Sequence, residues 1–193
     1  MMTPRYPRHF LSLFLLTALL LTGCSTYVNI PGQTGDVASN DPNSESIAVV
    51  QAKALRMVID ESKPAKYVFA LPAGTNSQTY ALVQEDLGDL ASSTPPGPGT
   101  QDVVEGAAGA PPLEVKQILV RGWYAQVDVV KPSDPNNLNA PKQLVTAYLK
   151  YAPFDGWYAQ EVRTWQFPVD EALQRSRAKG NEERRVPATA SGN

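Results

Sequence analysis

From Leu113 to Phe167 the chain keeps returning to an alternation of apolar and polar residues. A period of two confines this half of the molecule to strands with one buried face. "QLVTAYLKYA", Gln143 to Ala152, puts Val145, Ala147, Leu149 and Tyr151 on one side. After Gly122, Trp123, Ala125, Val127 and Val129 share a side, opposite Tyr124, Gln126 and Asp128. Before Gly122 the phase blurs, because Ile118, Leu119 and Val120 are all apolar. Gly122 therefore reads as a bulge or bend inside one long strand, Leu113 to Lys131. "PFDG", Pro153 to Gly156, carries Pro and Asp-Gly and reads as a tight turn, with "WYAQEVRTWQF" as the returning strand. The expectation is a meander of three long antiparallel strands.

The first half supplies what covers it. "DPNSESIAVVQAKALRMVIDES" predicts a helix starting at Asp41 as N-cap with Pro42 in the first turn. Ile47, Val50, Ala54, Met57 and Val58 form its apolar face, and Pro64 stops it. "AKYVFALP", Ala65 to Pro72, is a short buried strand. Thr75 and Gln78 have capping-box spacing, Tyr80, Val83 and Leu87 line one face, and Gly88 sits where a C-cap glycine belongs. The fold class is thus α+β: an antiparallel sheet, the meander plus the short strand, packed against one or two helices. The single domain spans 44–170, with a Pro/Gly-rich loop at 88–112. Residues 24–43, rich in Gly, Ser, Asn and Pro, read as a flexible tether. Residues 171–193 read as a charged, largely disordered tail, with a short helix through "DEALQRSRAKG".

The N-terminus speaks to location. Arg5 and Arg8 precede an apolar run from Phe10 to Leu21, followed by Leu21-Thr22-Gly23-Cys24. The run is shorter than the roughly 20 residues a bilayer-spanning helix needs and has the layout of an export signal. The four residues resemble the lipobox of bacterial lipoproteins. That resemblance implies removal of residues 1–23, a diacylglyceryl thioether on Cys24 and an acylated new N-terminus, so the partner would be a lipid bilayer. Two or three acyl chains give stable anchoring. Ser25, rather than aspartate, after the cysteine resembles the pattern of outer-membrane sorting, with the domain facing the periplasm.

Cleavage after Gly23 leaves 170 of the 193 residues, with 15 basic against 19 acidic side chains. That balance carries no nucleic-acid footprint. His9, the only histidine, leaves with the signal, and Cys24 is the only cysteine. Nucleophilic systems built on imidazole and zinc sites built on His or Cys are thereby excluded from the mature chain. Phosphate, dinucleotide and EF-hand loops are missing too. No cofactor, metal or catalytic residue is expected.

One motif remains: "GWYAQ" occurs at Gly122–Gln126 and again at Gly156–Gln160. The flanks differ, so the pair is not a duplicated module. One reading is sheet packing, with Trp in the core beneath a helix and Tyr paired across strands. The other is an aromatic binding surface of Tyr124, Tyr148 and Tyr158 with Gln126 and Gln160 as polar partners. Glu85, Asp86 and Asp89 read as a solvated acidic helix end. Arg175, Arg177, Lys179, Arg184 and Arg185 read as a solvated tail. Asp155 and Glu161 are the one acid pair that a glycosidase-like role would draw on. The function expected is a membrane-anchored envelope lipoprotein: a non-catalytic accessory, scaffold or binding module for another envelope protein or a cell-wall polymer. The alternative is a histidine-free carboxylate hydrolase acting on wall polymers.

Overall fold

The computed structural model describes residues 27–33, 38–59, 66–92, 112–134, 137 and 139–182. Seven strands form one sheet: β1 (Tyr27–Ile30), β2 (Tyr67–Ala70), β3 (Ala91–Ser92), β4 (Pro112–Arg121), β5 (Tyr124–Pro132), β6 (Lys142–Ala152) and β7 (Gly156–Thr164). Among the described residues three α-helices accompany it: α1 (Glu45–Val58), α2 (Ser77–Leu87) and α3 (Val169–Glu182). The fold is α+β, as the patterning predicts. The order across the sheet is β3-β2-β4-β5-β6-β7, with β1 beside β4. β4 to β7 form an antiparallel meander, whereas β2 runs parallel to both β3 and β4.

The meander has four strands, not three. Gly122 is not a bulge inside one strand but the first residue of a two-residue turn, Gly122–Trp123, between β4 and β5. Its φ of 59° lies where a Cβ would be strained. The blurred phase before it has another origin: both faces of β4 are covered there, Ile118 and Val120 lying in the main core and Leu119 being buried on the opposite face, beside Gly180 of α3.

One face of the sheet carries α1 and α2. Ile47, Val50, Ala54, Leu55 and Val58 of α1 and Tyr80, Val83 and Leu87 of α2 are buried with Phe69, Leu113, Ile118, Val127, Val145 and Leu149 of the sheet. This is the main core, and Leu55→Ala in it should cost about 2–5 kcal/mol. The helix starts shift slightly from expectation. Ser44, not Asp41, is the N-cap of α1, because the Asp41 carboxylate accepts from the Asn43 amide at 2.9 Å and holds a turn there. Asn76, not Thr75, caps α2 by accepting from Thr79 N at 2.8 Å, while Thr75 Oγ1 donates to Pro72 O at 2.6 Å. Gly88 is the C-cap, as expected.

Three boundaries are corrected. Residues 27–30, placed in the tether, form β1, with Val28 and Ile30 buried in the main core. Tyr-Val-Asn-Ile alternates, but a composition read over twenty residues averages four of them away. The chain then returns to the same strand, where Asn29 N donates to Ser39 O at 2.9 Å. The loop placed at 88–112 begins with a 3₁₀ turn, Gly88–Leu90, and β3, and ends at β4; residues 93–111 lie outside the described residues. The tail carries its expected helix, α3, from Val169 to Glu182, but that helix belongs to the domain rather than to a detached tail. It packs on the opposite face of the sheet, where Ala172 is buried with Val130 and Leu144 against Trp165, Val169 and Leu173.

Candidate functional site

The α3 face of the sheet is a stack of cross-strand rows, since residues in register point the same way. At one end Tyr27, Arg121, Tyr124, Lys150 and Tyr158 stand side by side on β1, β4, β5, β6 and β7. Aromatic and basic residues alternate along this rim, which spans about 19 Å at ~4.8 Å per strand. Arg121 lies over the Tyr27 ring at 5.8 Å and Lys150 over the Tyr124 ring at 5.6 Å, both within cation–π reach. Arg121 is also held by donating to Val28 O at 2.8 Å.

The next row is Asn29, Leu119, Gln126, Tyr148 and Glu161. Between these two rows and the last turns of α3 lies a groove of about 550 Å³. Lys179 of α3 sits over the Tyr148 ring at 4.8 Å. Gly180 lets the helix approach this closely: a Cβ there would stand 2.9 Å from Gln126 Oε1 and 3.0 Å from Leu119 Cδ1.

The third row, Gln117, Asp128, Thr146 and Arg163, runs beneath α3 and closes the groove. Asp128 is fully buried. Its Oδ1 accepts from Thr146 Oγ1 at 2.6 Å and from Ser176 Oγ at 2.8 Å. Those two hydroxyls accept in turn from Trp165 Nε1 at 2.8 Å and Gln126 Nε2 at 2.7 Å. Arg177 Nε donates to Gln117 Oε1 at 2.8 Å. Burial pushes the Asp128 carboxyl above the usual carboxylate range, against the smaller pull of its hydrogen bonds from Thr146, Ser176 and Gln126 and of the nearby Arg177 charge. Such an acid is built to hold a helix in place rather than to meet a ligand, since it does not line the groove.

No family model, curated protein or solved structure matches this chain.

Tyr124, Tyr148, Gln126 and Gln160 all line the groove. Tyr158 is on the rim, 41 % exposed. Gln160 reaches the groove from a bulge, where β7 carries one residue more than β6 between Tyr148 and Leu149. The two GWYAQ copies flank β6 and run in the same direction, in register through Tyr124↔Lys150↔Tyr158 and Ala125↔Leu149↔Ala159. Their tryptophans part company: Trp157 is buried at 8 % exposure, but Trp123, expected in the core, stands 52 % exposed at its turn. Both nonetheless contact the Tyr151 ring, at 5.6 Å for Trp123 and 5.4 Å for Trp157.

Glu161 lines the groove, whereas Asp155 is in the β6–β7 turn. Asp155 is not among the groove's lining residues, so the two carboxyls do not face each other across it as a glycosidase pair would. Arg177 and Lys179 face the sheet and do not belong to a solvated tail; Arg175 pairs with Glu171 at 2.7 Å, and Arg184 and Arg185 lie outside the described residues. Glu85 and Asp86 edge a second depression, between α1 and α2. Among the described residues no cluster of three or more His, Cys, Asp or Glu is placed to hold a metal, and no helix is long and apolar enough to cross a membrane. Cys24 lies outside the described residues. Sequence reasoning missed Tyr27, Arg121, Lys179, Asp128 and Ser176. The signal for Asp128 was present, as an acid on a strand whose other face is wholly apolar.

Proposed function

We propose that the protein is a lipid-anchored, non-catalytic module of the bacterial envelope, held at the periplasmic side of the outer membrane through acylated Cys24. The groove between the rim and α3 binds its partner, an envelope protein or a wall polymer. The observation that carries this reading is the convergence of Tyr124, Tyr148, Gln126 and Gln160 in one groove, at the end of the sheet where β1 begins. Stacking rings beside amide groups suit a polar ligand with flat apolar faces, such as a sugar chain. The hydrolase reading has less support, because the groove holds Glu161 without a facing carboxyl among its lining residues.

Two measurements test it. Cys24→Ser should release the protein from membranes; membrane pelleting of that variant at the normal processed mass would defeat the anchor. Sedimentation with purified cell walls, and crosslinking in intact cells, should find the partner. Tyr124→Ala should weaken its capture by up to about tenfold, the upper range for a lost aromatic contact. Undiminished capture would move the site elsewhere.

A further inference from the structure

The rim has an excess of exposed aromatic surface that the core does not use. Phe154, at the tip of the β6–β7 turn, is 100 % exposed, and Trp123, at the tip of the β4–β5 turn, is 52 % exposed. Both turns lie at the same end of the sheet as Tyr27, since Tyr27 pairs with Arg121 and Arg121 with Tyr124. Tyr27 is only three residues from Cys24. Whatever path those residues take, they span at most about 11 Å. An acyl anchor on Cys24 would therefore bring this end of the sheet, and no other, against the bilayer.

We infer that this end is a membrane seat: Trp123 and Phe154 enter the headgroup layer of a phospholipid bilayer, and Arg121 and Lys150 behind them meet its anionic groups. The inference rests on the anchor proposed at Cys24. Three features of the molecule point to lipid as the occupant. The covalent reach from the anchor is the first. The residue types are the second, because Trp and Tyr concentrate at membrane–water interfaces, where an apolar ring and a polar tip are both accommodated. Charge is the third. Arg121 and Lys150 stand on the rim and Lys179 above the groove, against Asp155 in the turn and Glu161 one row up. The basic excess draws the rim to an anionic surface. Seated this way, the floor of the groove stands two strand residues, about 7 Å, behind the rim. It thus opens just above the lipid, and the tether expected to hold the domain away from the membrane is replaced by a short link.

The processed, acylated protein reconstituted in phosphatidylglycerol-containing vesicles tests this, with lipids brominated high on their acyl chains as quenchers. Tryptophan emission should be quenched, and Trp123→Phe should lose that quenching while Trp157 and Trp165 remain as unquenched emitters. Adding Phe154→Trp to Trp123→Phe should restore it, which guards against a variant that misfolds. Quenching should exceed that in pure phosphatidylcholine, and Lys150→Gln should shrink the difference. Protein that floats with the vesicles, Cys24 acylated by mass spectrometry, yet shows no quenching would overturn the seat and leave the anchor standing. An unmodified Cys24 with protein left in solution would overturn both. Shielding of Trp123 by isolated cell wall in place of lipid would also overturn it.

Discussion

Ser176 on α3 donates its hydroxyl to Asp128 Oδ1 on β5 at 2.8 Å, across 48 residues of sequence. This bond decides where the C-terminal helix lies. Apart from the small cluster around Ala172 and Leu173, α3 meets the sheet through polar groups, and each hydroxyl in the network both donates and accepts. Asp128 Oδ2 is left buried without a partner, but the Oδ1 bonds still favour one register of helix on sheet, because a shift by one turn would strand the Thr146, Ser176 and Gln126 groups as well.

Asp128 should make stability fall as pH rises. Its carboxyl is held above the ordinary range in the folded protein by burial, while in the unfolded chain it titrates near ~3.9. Between those two values the folded state keeps a proton that the unfolded state has released, so the slope of stability against pH is negative. This contribution is complete below the unfolded value and lost as pH climbs through the folded one. Urea midpoints for wild type and Asp128→Asn, compared at about pH 5 and about pH 8, should show a smaller decline in the variant.

Deleting the acceptor is a different matter. Asp128→Ala strands the Thr146 and Ser176 hydroxyls beneath α3 and should cost about 2–4 kcal/mol. Ser176→Ala removes one hydroxyl and leaves Gln126 Nε2 with the Ser176 carbonyl at 3.2 Å, so about 1–2 kcal/mol is expected. Equilibrium denaturation gives both numbers, and hydrogen exchange should show the loss concentrated in α3.

The two copies of GWYAQ should respond unequally to the same substitution. Trp157→Ala empties a buried site and should cost about 3–5 kcal/mol. Trp123→Ala removes a half-exposed ring that touches Tyr151 from one side and should cost about 1 kcal/mol. Thermal melts of the pair check this, and equal losses would mean that Trp123 is far better covered than its exposure indicates.

Gly122→Ala and Gly156→Ala should each cost about 1–2 kcal/mol through backbone strain alone. Both glycines have positive φ, and a Cβ at either would meet nothing within 4 Å. Asn at the same positions should be tolerated better, a ranking that denaturation midpoints can establish.

The pentapeptide shows why part of the fold was legible and part was not. Its alternation reports the strand and its two faces, so Ala125, Val127 and Val129 were assigned to the core correctly. Where a strand starts is set by turn geometry, and Gly122–Trp123 carries only a glycine to announce it. Hence alternation alone shows one strand where two exist and points Trp123 at a core it does not enter. The groove was half legible for a similar reason. Tyr124, Gln126 and Tyr148 follow from the outward phase of β5 and β6, but Tyr27, Arg121 and Lys179 reach them only through pairings of β1 with β4 and α3 with the sheet. Such long-range pairings leave no local trace, and a strongly charged helix such as α3 resembles a solvated one until its Ala172 and Ser176 face is placed.

β1 has one more consequence. Its four residues pair with Ile118 to Arg121, and Arg121 grips Val28 O from 93 positions further along. Chains are made and delivered from the N-terminus, so the opening strand must wait until almost two-thirds of the polypeptide has emerged before its neighbour exists. Contacts between such distant segments form slowly. The first strand to be made thus waits, unpaired along that edge, for a partner made long after it.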